Sequence, residues 1–162
     1  MQEVAVRIVF VTPCLGNVSK QEPSGFVFAF PRDSVGGVVF SQQTWLPVLA
    51  YAATMRDLSV QLVSRVAWSP QVAGTVTRWK RMFSGESGSR RRYAMHDAFR
   101  DGAEIATTAV LPDGLSVASF EDLLTVGGSY HGVSLFKVQD NSLGRFTVIS
   151  VLPTKVKSGT AI

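Results

Sequence analysis

Read from the first residue onward, the apolar positions change period several times. Residues 4–12, VAVRIVFVT, are largely β-branched and almost continuously apolar, which predicts a strand covered on both faces or largely buried. KQEPSG (20–25) is a loop by composition. FVFAFPRDSVGGVVF (26–40) alternates around a centre rich in Pro, Asp and Gly, so it predicts a hairpin turning at residues 31–37. From 45 to 56 the period becomes helical. Leu46, Leu49, Ala50 and Ala53 fall on one stripe, Thr44 can cap the N-terminus, and Pro47 is placed in the first turn, where a missing N–H is harmless. VQLVSRVAW (60–68) returns to a strand pattern. TVTRWKRMF (75–83) and RRRYAMHDAF (90–99) predict the two arms of a long hairpin with SGESGS (84–89) at its tip, and AEIATTAVL (103–111) is a further strand. A second helix is expected from Phe120 to Val126. Ser119 would cap it, Glu121 and Asp122 suit the positive end of its dipole, and Gly127-Gly128 would stop it. GRFTVISVL (144–152) closes the chain as a strand.

Stripped of insertions, the order is strand, helix, strand, strand, helix, strand. That is the split βαβ order of the ferredoxin-like fold, an α+β (α/β) arrangement in which two helices cover one sheet face. The expected organisation is a single domain over 1–162, with 75–99 inserted as a basic β-hairpin. The other sheet face is left available, and RNA-binding domains of this topology use it. Extra strands between the two halves can instead form a separate sheet.

Three stretches are similar to the RAMP superfamily of CRISPR-associated proteins, in particular to the backbone subunits that coat a guide RNA. VRIVFVTPCLGN (6–17) looks like their opening strand and Pro-Leu-Gly loop. VVFSQQTWLPVLAYAA (38–53) resembles the approach to their first helix, without the glycine and serine usual before it. FEDLLTVGGSYHGVSLFK (120–137) followed by LGRFTV (143–148) resembles their second helix, glycine-rich loop and last strand. The resemblance implies a ferredoxin-like core, single-stranded nucleic-acid binding and repeated assembly along the strand. It also implies that 75–99 corresponds to a thumb-like insertion.

The distribution of charge points the same way. The chain has 16 basic and 12 acidic residues, a net of +4. Residues 78–92 hold Arg78, Lys80, Arg81, Arg90, Arg91 and Arg92 against Glu86, a net of +5, so the remainder carries ten basic and eleven acidic residues and a net of −1. Excess positive charge gathered in fifteen residues is what a polyanion-facing element requires. In strand geometry Arg78, Lys80 and Met82 take one face of the hairpin and Trp79, Arg81 and Phe83 the other. Arg92 and Arg90 share a side of the return arm, opposite Arg91 and Tyr93. Guanidinium groups grip phosphate with paired hydrogen bonds, while Trp79 and Tyr93 can stack on bases. The alternative is a solvated hairpin whose charge discourages edge pairing. GGSYHG (127–132), with Lys137 and Arg145 after it, is a second candidate contact, because adjacent glycines let a backbone approach a phosphate.

The remaining chemistry is sparse. One cysteine, Cys14, excludes an internal disulfide and a cysteine-based zinc site, and it is expected to be a small buried filler. Two histidines give no metal-ligand cluster, so no metal and no cofactor are expected. There is no Walker loop and no GxSxG elbow. The start reads as a strand and not as a signal peptide, and no apolar run reaches eighteen residues, so a cytoplasmic protein without a membrane partner is expected. Trp45 and Trp68 are expected to pack in the core. The function these features predict is non-catalytic binding of single-stranded RNA or DNA, in several copies along the strand or within a larger complex. The alternatives are a metal-independent RNA endonuclease using His131 beside Tyr130, or His96 near Tyr93 and Asp97, and a viral protein that docks on a host nucleic-acid complex.

Overall fold

The computed structural model describes residues 1–84, 91–133, 135–136 and 142–154. The elements are β1 (Gln2–Phe10), β2 (Cys14–Leu15), β3 (Val18–Glu22), β4 (Gly25–Ala29), α1 (Gln42–Met55), α2 (Val60–Ser64), β5 (Ala67–Trp68), β6 (Ala73–Gly74), β7 (Thr77–Ser84), β8 (Arg91–Phe99), β9 (Glu104–Leu111), α3 (Val117–Tyr130) and β10 (Phe146–Pro153).

The first sheet has the order β10-β1-β9-β5, every neighbour antiparallel, with β6 also on β9. Taking β1, α1, β5, β9, α3 and β10 as the six core elements, this is the ferredoxin-like order expected from the sequence. On β1 the side chains of Val4, Val6, Ile8 and Phe10 are buried at period two. The antiparallel register brings Val4 beside Ala109, Ile8 beside Ile105 and Val6 beside Val151. Helix α1 packs into the same core through Trp45, Val48, Leu49, Ala52 and Ala53, and α3 through Phe120, Leu123 and Leu124. The two tryptophans are core residues, as expected: Trp45 stacks on Trp68 at 4.3 Å between ring centres.

Several local expectations are corrected. Helix α3 starts earlier, where the Ser116 hydroxyl accepts the Ser119 N–H at 3.1 Å, and it runs through Gly127 and Gly128 to Tyr130. The glycines are therefore contact residues and not a stop. A Cβ on Gly127 would lie 2.5 Å from the Val48 carbonyl oxygen, and one on Gly128 would lie 2.5 Å from the Phe146 ring. Small residues here let α3 meet α1 and β10 backbone to backbone. Glu121 and Asp122 lie past the first turn, and Asp122 pairs with Arg56 of α1 at 3.0 Å instead of capping its own helix. Helix α1 begins at Gln42, so Thr44 is inside it and Pro47 falls in its second turn. Residues 60–68 form a short helix and a two-residue strand because Val63 and Val66 are drawn into the core beside α1, which overrides their β-branched preference. Half of KQEPSG is strand β3.

The second sheet gathers β2, β3, β4, β7 and β8. β3 and β4 form an antiparallel hairpin, β8 pairs with β2 and β7 antiparallel, and β4 joins β8 in parallel through Val27–Met95 and Phe28–His96. The turn expected at 31–37 exists. Asp33 accepts the Val35 and Gly37 N–H groups at 3.1 and 2.8 Å, and Gly36 has a φ of 86°. Its far arm is only the isolated bridges Arg32–Val38 and Val39–Gln71, because Phe40 turns into the core. Phe99, at the end of β8, stacks on Phe10 at 5.8 Å and on Phe30 at 4.8 Å, so the two sheets share one core.

Candidate functional site

The β7–β8 hairpin is antiparallel from Thr77–Ala98 to Ser84–Arg91, and it sorts the basic residues as the alternation predicts. Arg78, Lys80 and Met82 sit opposite Asp97, Met95 and Tyr93 on one face, and Trp79 and Arg81 sit opposite His96 and Ala94 on the other. The residues differ in how much of their charge reaches outward. Arg78 is committed internally: its Nη2 donates to Glu22 at 2.8 Å and its Nε lies 3.3 Å from Asp97. Asp97 is buried and also meets Arg32 at 3.4 Å and the Phe30 N–H at 3.3 Å. These contacts fasten the root of the hairpin to the β3–β4 unit through Arg78.

Lys80 is exposed, with its ammonium 4.2 Å from the centre of the Tyr93 ring. Arg92 is exposed. Trp79 is half-buried beneath the Arg100 guanidinium at 5.5 Å. Arg81 is half-buried, donates its Nε–H to His96 Nε2 at 3.1 Å and lies 4.6 Å over the Phe136 ring. Arg91 opens β8 opposite Ser84, while Arg90 and Lys137 lie outside the described residues. Arg145 is half-buried. Its carbonyl accepts the Val11 N–H at 2.8 Å and its N–H donates to the Thr12 hydroxyl at 2.9 Å, so its backbone ties the loop after α3 to the end of β1.

The two histidines lie in different settings. His131 ends α3, with Nδ1 2.8 Å from the Gly132 carbonyl and its ring 5.7 Å from Tyr51, while its expected partner Tyr130 is 66% exposed. His96 is fully buried, with both ring nitrogens engaged. Tyr93 and Asp97, its expected partners, occupy the opposite face of β8.

What the sequence did not mark is a groove. Pairing between β4 and β8 is limited to two residue pairs, so their N-terminal ends part and leave an open space of about 650 Å³. Phe26, Val27 and Phe28 line it from β4, Tyr93 and Met95 from β8, and Lys80 from β7. Phe26 is 68% exposed and Tyr93 59%, unusual for large rings in strands. The available signal was the alternation in FVFAF, which puts Phe26 and Phe28 on one face. The outer face of the first sheet, by contrast, carries Ala5, Arg7, Val9, Ala106, Thr108 and Leu152, without an aromatic ring, and Arg7 is paired with Glu104. Among the described residues no group of acidic, histidine and cysteine side chains could hold a metal ion, and no helix is long and apolar enough to cross a membrane.

A chain in the cryo-electron-microscopy structure of the type III-B Cmr-beta bound to cognate target RNA superposes with a TM-score of 0.61. The match covers 95% of this chain and 61% of that one, at 12% identity. The two chains share a fold. This chain spans about three fifths of the length of that relative, and at such identity the likeness concerns the fold alone. No family model and no curated protein sequence matches the chain.

Proposed function

We propose that this protein binds single-stranded RNA without cleaving it, as one unit of a larger ribonucleoprotein assembly or in several copies along the strand. The observation that carries the proposal is the open groove where β4 and β8 part, whose lining includes Lys80 and two exposed rings, Phe26 from β4 and Tyr93 from β8. Bases stack on such rings whatever their identity, and unpaired strands alone can offer them. Phosphates are met by Lys80 and Arg92, together with Arg90, Arg91 and Lys137 on the adjoining segments, while Arg78 anchors the hairpin and Trp79 braces its second face. The RNA-bound state of the Cmr-beta relative supports RNA over DNA and a complex over an isolated protein. Residues 75–99 then act as a thumb-like insertion within a single folding unit.

The test is fluorescence anisotropy with a labelled, unstructured RNA of about twenty nucleotides. Replacing both Phe26 and Tyr93 with alanine removes two stacking surfaces, each worth about 1–3 kcal/mol, and is expected to weaken binding at least tenfold while the dependence on salt persists. Binding of the double variant within twofold of the parent would show that the groove takes no base.

A further inference from the structure

We propose that His96 is a positioning residue for this interface: as a neutral ring it fixes Arg81, and through Arg81 the Phe136 segment, against the hairpin, and a proton on the ring dissolves that arrangement. The functional consequence rests on the RNA-binding reading, whereas the arrangement itself is geometric. Nδ1 lies 2.8 Å from the Gly16 carbonyl oxygen, which can only accept, so Nδ1 carries the hydrogen. Nε2 is then a lone pair, and Arg81 donates its Nε–H to it at 3.1 Å. The Phe28 ring stacks on the imidazole at 4.9 Å and the Phe136 ring meets it edge-on at 4.7 Å, while the Arg81 guanidinium covers Phe136 at 4.6 Å. One buried ring thus joins the segment before β3, strand β4, strand β7 and the loop after α3.

Among the described residues, the groups around His96 leave little to stabilise a second proton. Arg81 is the charged group facing it from β7. β4 and the loop after α3 supply aromatic rings, and Gly16 supplies a carbonyl. Asp97 faces the other side of β8, where Arg32 and Arg78 hold it. A proton on Nε2 would place a donor against a donor and one positive charge beside another. Burial, and then Arg81, hold the ring below its ordinary value of 6.5, against the opposing pull of the Gly16 bond. The unfolded chain therefore binds this proton more readily than the native one, and native stability falls as the pH drops through and below 6.5.

The experiment pairs RNA affinity with a direct titration. His96→Gln can still donate to Gly16 and accept from Arg81, but it cannot titrate. At constant ionic strength the parent is expected to lose affinity progressively as the pH is lowered from 7.5 through and below 6.5. The variant, which cannot titrate at this position, should stay flat over the same range. Identical pH profiles for parent and variant would overturn the role of His96 alone, and a parent that fails to bind RNA at pH 7.5 would overturn the RNA reading itself. Independently of RNA, the His96 ring proton followed by NMR should titrate below 6.5. Its midpoint should move upward in Arg81→Met, which removes the opposing charge and the donor. An unmoved midpoint would show that Arg81 does not govern the ring. This measurement stands even if His96→Gln does not fold.

Discussion

Gly127→Ala asks whether α3 ends at its glycines or is clamped through them. At an exposed helix position the change would stabilise by about 1 kcal/mol, since glycine gives up the most backbone freedom on folding. Within α3 the added Cβ would instead lie 2.5 Å from the Val48 carbonyl oxygen and 2.6 Å from its Cγ1. Comfortable contacts are about 3.5–4.0 Å, so α1 and α3 must separate by roughly an ångström. The blocking atom is a backbone carbonyl inside a helix, so it cannot rotate away as a side chain would. Overpacking of this kind costs about 1–3 kcal/mol, and the upper end applies because Val48 is itself fully buried. Set against the propensity gain, the net loss is about 2 kcal/mol, which lowers the melting midpoint by about 4–8 °C in a domain of this length. Thermal and urea unfolding followed by far-UV circular dichroism would measure it, with the urea slope unchanged if only the native state is affected. A midpoint equal to or above the parent's would refute the clamp and return Gly127 to a helix end.

Two further outcomes follow from the site and the core. Asp97→Asn keeps the shape of the side chain but discharges the buried carboxylate shared by Arg32, Arg78 and the Phe30 N–H. Because both arginines are partly hydrated, the loss should be only about 1–2 kcal/mol in urea unfolding. Freeing Arg78 should steepen the salt dependence of RNA binding, and a variant as stable as the parent would show that this carboxylate does not hold the hairpin root. Cys14 is fully buried, and burial pushes its thiol far above the ordinary range. Iodoacetamide at pH 8 should therefore leave the native thiol intact by mass spectrometry while labelling the urea-unfolded chain. Equal rates in the two states would contradict the burial.

Much of the fold is legible in local pattern. The apolar, β-branched run at 4–12, the helical stripe over 45–56 and the alternation at 75–83 specify elements that need no distant partner to be recognised. Their order alone indicates the ferredoxin-like core. The hairpin faces were equally readable, because side chains on a strand alternate whatever lies across from them. Where the pattern misled, a distant contact had intervened. VQLVSRVAW is rich in strand formers but became a short helix once Val63 and Val66 packed beside α1. Gly127 and Gly128 carry the signature of a helix stop, yet Val48 and Phe146 make them crossing points.

The sequence by itself determined the core order, the hairpin and the concentration of positive charge, since periodicity, turn residues and charge are properties of neighbours along the chain. Only the tertiary structure decided which charges are spent internally. Arg78 meets Glu22 across 56 positions, and Arg81 donates to His96. The groove is likewise a tertiary product, because Phe26 and Tyr93 line one space only where two strands from separate hairpins run parallel for two residues and then part. Such pairings depend on how one sheet packs against another, and no local spacing encodes that distance.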